Sequence, residues 1–378
     1  MSEIVFVLGA GASVHAGVPV MANFLERSRE IGRGLTDDPI KADFDRVRRA
    51  IHAIQRVHSK ANLDVHNLEA VFTILESAWT IDKLPGFNSA EIPSAIHSFK
   101  KVITRTLDMT AAFQRSVKPG WVIAPNAITP KDLVVIPSST YHSFANTIRQ
   151  ILETRPSQKT VSIISFNYDI GLDFALVYNG IVPNYNLPDN DVQDPSVALI
   201  KPHGSLNWGR IKTSSRIVAL DPKVVIDQEP LQPTQSMPSP FRCLFGSKIV
   251  EHMNKHKNVE VEDVPVLVAP GIYKAEQHFA LKSVWSAAAR ELSEAEDIIV
   301  IGFSLPTTDF FFNHLYALGT EGESVIRRFW VINPDGTGEV ERRFSSILGA
   351  QAIPKFVYHV STFENAIRGI RESYGLNP

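Results

Sequence analysis

The chain has 378 residues, 44% of them hydrophobic and 21% charged, with 38 basic against 40 acidic side chains and a net charge of -2. That length exceeds what one core usually serves, so one large domain with an insertion, or two domains, is expected, and the balanced charge excludes the broad basic footprint of a dedicated nucleic-acid binder. The single cysteine, Cys243, excludes a disulfide framework and a four-cysteine zinc site built from this chain alone.

Residues 1–25 lack the basic start, apolar run and small-residue cleavage site of a secretory leader, and no apolar run reaches the ~18 residues of a bilayer span. A soluble protein of a reducing compartment, the cytoplasm, is expected. In chain order the first element is a short buried strand, Ile4 to Leu8, which runs into Gly9-Ala10-Gly11-Ala12-Ser13. A strand ending in Gly-x-Gly before a helix gathers free backbone N–H groups and the positive end of a helix dipole, where a phosphate fits. The alternative is a tight turn whose glycines serve packing. Ser13 adds a hydroxyl donor, and the turn opens an α/β pattern, both of which favour the phosphate. The dehydrogenase fingerprint is absent, because its third glycine would fall at Val14 and no acidic residue closes a second strand. The P-loop's Gly-Lys-Ser/Thr is absent too.

Residues 34–155 read mainly as helices, at 40–59, 67–82, 91–116 and 139–154. The segment DFDRVRRAIHAIQRVH, for example, places Phe44, Val47, Ile51, Ile54 and Val57 on one stripe. Arg46, Arg48, Arg49 and Arg56 on the same segment read as a solvated face diluted by Asp43 and Asp45, with a nucleic-acid or partner contact as the alternative. Further on, strand-like runs at 161–166, 197–200, 264–268, 297–301, 327–332 and 355–358 alternate with helical spacing at 276–292, 308–318, 338–348 and 362–373. Several of these strands lack polar alternation, which suits burial on both faces. The expectation is an α/β fold: a parallel sheet flanked by helices, formed by residues 1–33 and 156–378, with 34–155 a large helical insertion after the first strand. The Pro-rich stretches 181–196 and 221–240 are assigned to loops.

Several strand ends carry polar residues. VSIISF is followed by Asn167-Tyr168-Asp169, in which Asp169 suits a cap on the helix DIGLDFALVY while Asn167 faces a ligand. LIKPHGSLNW carries His203, one of 12 histidines, whose type suits a proton acceptor near neutrality. IIVIGFSLPTTD supplies Gly302 and Ser304, and FWVINPDG supplies Asn333. Thr307, Thr308 and Asp309 read as caps of the next helix. The cluster Phe310, Phe311, Phe312 exceeds one helical stripe and either meets a partner or fills the core. His252 and His256 stand one helical turn apart, but without a third ligand a solvated basic face is the better reading.

These segments, in this order, resemble the sirtuin family. Gly9, Ala10, Gly11, Ser13, Gly17, Val18 and Pro19 are similar to its opening Gly-Ala-Gly-x-Ser…Gly-Ile-Pro; Asn167 and Asp169 to its Thr-Gln-Asn-Ile-Asp; His203 and Gly204 to its His-Gly; and Gly302, Ser304 and Asn333 to its later Gly-x-Ser and Ile-Asn. The resemblance covers about the first 30 residues and 160–335, and nothing in the helical part between. It implies a Rossmann-like sheet and NAD as substrate, with no metal. It places Gly9, Ala10, Gly11, Ala12, Ser13 and Pro19 around the dinucleotide, the glycine turn at its diphosphate, and Gly302, Ser304 and Asn333 at the phosphates and adenosine ribose. Asn167 would position water and the ribose, Asp169 would bind the carboxamide, and His203 would act as the base.

Two departures narrow the function. The four-cysteine zinc ribbon of the deacylases has no counterpart, and their arginine after Pro-Asp-Phe is missing, since Pro19 is followed by Val20-Met21-Ala22. What remains resembles the sirtuin-like NADases of bacterial antiphage defence. This implies an NAD hydrolase active in abortive infection. Because the sequence shows no obvious recognition segment, its trigger is expected to come from homo-oligomerisation or from a separate protein such as a partner ATPase. A sensor that binds NAD or ADP-ribose without turnover, and an NAD-dependent deacylase, stay as alternatives. No membrane contact is expected.

Overall fold

Five consecutive residues without a polar member, Ile4–Leu8, form strand β1, and each is fully buried because β1 stands in the middle of a sheet covered on both faces. The computed structural model describes residues 3–36, 38–57, 63–117, 133–154, 161–188, 196–228, 241–268, 280–306, 310–319 and 324–377. After β1 come a 3-10 segment, Ala10–Ala16, and four helices: α1 (Phe24–Gly34), α2 (Lys41–Val57), α3 (Leu68–Thr80) and α4 (Glu91–Thr110). An antiparallel pair follows, β2 (Gln114–Val117) with β3 (Leu133–Ile136). Next are α5 (Ser139–Thr154), β4 (Val161–Ser165), α6 (Gly171–Tyr178), β5 (Val182–Asn184) and β6 (Ser196–Ile200). A second antiparallel pair, β7 (Trp208–Arg210) with β8 (Ile217–Ala219), leads to α7 (Pro222–Ile226) and α8 (Ile249–Lys257). The chain closes with α9 (Lys282–Glu294), β9 (Asp297–Ile301), α10 (Phe310–Gly319), β10 (Arg328–Asn333), α11 (Glu339–Ile347), β11 (Phe356–Val360) and α12 (Phe363–Ser373).

Seven of these strands form one parallel sheet in the order β11-β10-β9-β1-β4-β6-β5. Ile4 pairs with Val161 on one side and Asp297 on the other, so β1, β4 and β9 start and end level. The expected α/β class, a parallel sheet flanked by helices, is the observed one.

The buried apolar residues fall into two cores. One is built on the strands and takes in Tyr141, Phe144, Ile148 and Ile151 of α5, so α5 packs on the sheet although it falls within the stretch grouped by sequence as the insertion. The other joins α1–α4 to Leu206, Leu220, Phe245 and Val261, so residues from beyond 200 complete the core of the helical part.

Several local expectations differ. The run 264–268 forms no sheet strand; its apolar residues pair through an isolated bridge, Leu267 with Gly204, and brace a loop. Residues 181–196 contain β5, and 221–240 open with α7, whose N-cap Asp221 accepts from Lys223 N at 2.8 Å. The helix expected over 91–116 stops at Thr110, where Ala111 turns extended. Thr307, Thr308 and Asp309 lie outside the described residues. The α2 arginines are largely paired within the chain: Arg46 to Asp43 and Ser98, Arg48 to Asp45, Arg49 to Glu91. Among the described residues no helix is long and apolar enough to cross a membrane.

Candidate functional site

In an open parallel sheet the crevice for a ligand lies outside the carboxyl ends of the strands, where the connections turn in opposite directions. β1 marks that reversal here, since the chain passes from it to β4 on one side and later reaches β9 on the other. Interstrand bonding continues past the strand ends: Gly9 N donates to Ile301 O at 3.0 Å, Phe166 N to Leu8 O at 2.9 Å, Gly302 N to Ile332 O at 2.9 Å and Ser361 N to Asn333 O at 3.1 Å. Adjacent loops therefore leave the sheet in fixed register.

The glycine turn is held against the loop after β9. Gly11 N donates to Gly302 O at 2.8 Å. A Cβ on Gly11 would sit 2.8 Å from Gly302 O, one on Gly9 2.5 Å from Phe303 Cα, and one on Gly302 2.3 Å from Ala12 N. Gly302 also has φ +63°, a region other residues enter at a cost of roughly 1–2 kcal/mol. Two backbones cross here at van der Waals distance, so Gly9 and Gly11 have a packing reason of their own. The amides of Gly9 and Gly11 are committed to that crossing, and the segment that follows is a seven-residue 3-10 helix rather than an α-helix.

Ser13, the hydroxyl expected to face a phosphate, instead points into the fold and is fully buried. Its Oγ donates to Asp169 Oδ2 at 2.6 Å and accepts from Asn167 Nδ2 at 3.0 Å. With its one proton given to Asp169, it accepts from the Tyr141 hydroxyl at 2.7 Å and has no capacity left. Burial, with the negative charge of Asp169 adding to it, raises the Tyr141 phenol well above 10 and keeps it protonated. Asn167 Nδ2 also donates to Gly9 O at 2.9 Å. Both amide hydrogens are thus engaged, and the group Asn167 can offer a ligand is its oxygen, an acceptor. Asp169 Oδ1 accepts from Gly171 N at 3.0 Å, closing a turn one residue ahead of the helix's N-cap, which is Ile170 and not Asp169 as the sequence suggested.

Lys201 supports this cluster from below at 1% exposure. Its three protons go to Asp169 O at 2.8 Å, Asp173 Oδ2 at 3.0 Å and Ser205 Oγ at 2.7 Å. Tyr185 donates to the other Asp173 oxygen at 2.7 Å. Removing one member of such a buried pair strands the other charge, at about 3–5 kcal/mol.

His203 stands in a tight turn closed by Gly204 N donating to Lys201 O at 2.9 Å. Gly204 has φ +84°, and a Cβ there would lie 2.0 Å from Val266 O. The 264–268 segment clamps the turn from outside, through Ser205 N to Val266 O at 3.0 Å and Val268 N to His203 O at 2.8 Å. Phe166 meets the imidazole edge-on at 5.0 Å between centroids, and Tyr168 and Trp285 stand at 6.2 and 6.3 Å.

These loops enclose a cavity of about 660 Å³, within the range of small-molecule sites. Of the sequence-predicted residues, Ala10, Gly11, Pro19, Asn167, Asp169, His203, Gly302, Ser304 and Asn333 line it, while Gly9, Ala12 and Ser13 stand behind the wall. The wall also contains residues for which no motif spoke: Ser361, Thr362 and Glu364 after β11, and Asn67 and Glu69 at the start of α3, where Asn67 Oδ1 caps Glu69 N at 2.8 Å and Ala70 N at 3.2 Å. His15 lines it as well, bonded through Nε2 to Ser138 Oγ at 2.8 Å; burial lowers its pKa to about 4, so it is neutral at pH 7. Six of the seven strands, all but β5, thus send a residue from their carboxyl ends into one space.

No protein-family model matches the chain, and no curated protein does. Solved structures similar to it include a Sir2 homologue in complex with NAD, 16% identical with a TM-score of 0.39 over 98% of this chain and 90% of that one. A mutant Sir2 homologue with 2'-O-acetyl ADP ribose is 14% identical, with a TM-score of 0.40 over 99% of this chain and 94% of that one. Values this low leave the chemistry to be read from the cavity itself.

Away from it, His252 and His256 share α8 with ring centroids 6.5 Å apart, and burial lowers His252 to about 4. Among the described residues no cluster of three or more His, Cys, Asp or Glu is placed to hold a metal.

Proposed function

We propose that the chain is an NAD+ hydrolase that releases nicotinamide and ADP-ribose. The observation that supports this reading is the convergence of Asn167, Asp169 and His203, each just past a strand end, on one cavity of dinucleotide scale beside the Gly11–Gly302 crossing. In the proposed reaction the bond from ribose C1′ to the pyridinium nitrogen breaks, and its electron pair leaves on the ring as neutral nicotinamide. Water adds to the oxocarbenium-like carbon and releases a proton, which balances the reaction. The Asn167 oxygen, an acceptor held by its own committed amide hydrogens, orients the water or a ribose hydroxyl. Asp169 receives the carboxamide N–H, and His203 accepts the proton. Gly302, Ser304 and Asn333 hold the phosphates and adenosine ribose.

Following free nicotinamide from purified protein and NAD+ tests this, with Asn167→Ala and His203→Ala expected to abolish release. A second reading, a sensor that binds NAD or ADP-ribose without turnover, is favoured by the depth of both residues: Asn167 is 7% and His203 9% exposed, which restricts water. Binding without release under every condition would establish it. We further propose that the activity belongs to antiphage defence and stays quiet until oligomerisation or a partner protein triggers it; full activity of an isolated monomer would refute the trigger.

A further inference from the structure

The seam between α1 and α2 holds a second cavity, of about 450 Å³, which shares no lining residue with the one at the strand ends. Both helices pack more extensively on α4 than on each other. They touch where Gly32 meets Phe44, and a Cβ on Gly32 would stand 2.7 Å from that ring. Beside this contact a crevice stays open. Its floor is Leu25, Phe44, Val47 and Ile51, each 4–7% exposed, so the space admits a slender group and not the broad face of a helix.

The rim is cationic. Arg29 and Arg33 come from α1 and Lys41 and Arg48 from α2, and among the described lining residues Asp45 is the one carboxylate. Asp45 is shared, accepting from Lys41 at 2.8 Å and from Arg48 at 3.4 Å. Four cations and one carboxylate leave a local charge of +3, on a chain whose net charge is -2. Arg29 and Arg33 form no ion pair among the described residues. They stand four apart on one helix, where like charges are neighbours and repel. An anion between them removes that repulsion. The apolar stems of these side chains meanwhile continue the crevice wall up to their charged heads.

We propose that this crevice binds a single-chain anionic amphiphile, such as a fatty-acid carboxylate. The alkyl chain lies on Leu25, Phe44, Val47 and Ile51, and the head group lies between Arg29 and Arg33. The volume falls in the range of small-molecule sites. Each methylene that leaves water is worth about fourfold in affinity, so chain length sets the strength of binding. The exposed guanidinium groups attract the head group and are screened by salt, so their share fades at high ionic strength while the chain's share persists.

The test is calorimetric titration of the full chain, below micelle-forming concentrations, with dodecanoate, octanoate and dodecyltrimethylammonium. Dodecanoate is expected to bind one site, about tenfold or more tighter than either of the others. Arg29→Gln combined with Arg33→Gln, both at exposed positions, is expected to weaken it about tenfold at low salt and little at high salt. Arg368→Gln, at an exposed position on α12, is expected to change nothing. Asp45→Asn is expected to tighten binding several-fold, a gain that damage to the fold does not produce. No binding of dodecanoate, equal binding of the cationic probe, an affinity independent of chain length, or one unmoved by the arginine pair would overturn the proposal. Co-sedimentation with phosphatidylglycerol vesicles by a protein that leaves free dodecanoate unbound would overturn it too, since the anion would then belong to a membrane surface.

Discussion

Ser13→Ala separates a structural role from a ligand-binding one. Its hydroxyl serves three buried partners: it donates to Asp169 and accepts from Asn167 and Tyr141. Losing the bond to an ionised carboxylate is worth about 1.5–3 kcal/mol, and each neutral donor left unpaired in the interior about 1 kcal/mol or more. The sum is about 3–5 kcal/mol, reduced to about 2–4 if Tyr141 swings to Asp169. Urea unfolding should show that loss. Nicotinamide release should fall at least tenfold in kcat with KM nearly unchanged, because the freed Asn167 amide no longer presents its oxygen in one orientation. Adding Tyr141→Phe should then cost less than it does alone, since both substitutions break one network. Unchanged stability together with a raised KM would refute this and return Ser13 to the phosphate.

Gly302→Ala should lower the unfolding free energy by about 2–4 kcal/mol, because its Cβ would stand 2.3 Å from Ala12 N at φ +63°, and NAD+ affinity should fall with it as the two loops part; a calorimetric scan and a titration check both. Burial raises the Asp108 carboxyl from 3.8 to about 6, against hydrogen bonds from Ser247 N and Gly246 N that favour its charged form. Between those values the folded protein keeps a proton that the unfolded chain has released. Its contribution is therefore full below about pH 4 and lost as pH rises to about 6, by roughly 3 kcal/mol at 1.36 kcal/mol per unit. The stability of wild type relative to Asp108→Asn should fall over that window. The comparison with the variant matters because His15 and His252, lowered to about 4, act with the opposite sign. Lys201→Met should unfold the protein or cost about 3–5 kcal/mol, and Asp173→Asn in the same chain should restore part of it in urea titrations.

The class of fold was legible because β1, β4 and β9 are rich in Val, Ile, Leu and Phe without strict polar alternation, which suits strands covered on both faces. The strand-end positions of Asn167 and Gly302 followed from β4 and β9, and those of His203 and Asn333 from the runs that form β6 and β10. What stayed hidden depended on contacts distant in sequence. Ser13 reads as a donor in a nest until Tyr141, 128 residues away, and Asp169, 156 residues away, saturate it. Lys201 precedes the His203 turn in an ordinary way, and nothing local says that its ammonium is buried against Asp173. VPVLV has the composition of a sheet strand, yet the sheet is closed by β5 and the segment clamps the His203 turn instead. Glu69 sits in the first turn of a helix, where a carboxylate reads as surface, and only the packing of α3 on α2 and α4, which sets that turn in the cavity wall, buries it.

The physical consequence of these contacts is that the protein's own hydrogen bonds organise the cavity. Gly9, Phe166, Gly302 and Ser361 extend the interstrand ladder beyond the strands, so four loops are held by backbone bonds of 2.9–3.1 Å. The Asn167 amide is oriented by two bonds and the His203 turn by three, the bond closing it and two from the 264–268 clamp. A ligand entering such a site loses little affinity to ordering the protein, and under the proposed function Asn167 and His203 need no rearrangement as charge develops on the ribose. A trigger that opens or closes access would then act on a finished site, whereas one that assembled it would have to break and remake this ladder. Amide hydrogen exchange decides between the two: protection of Gly9, Phe166 and Gly302 before activation, unchanged after it, is expected, and exchange of these amides at loop rates in the resting protein would show that the site is built only on activation.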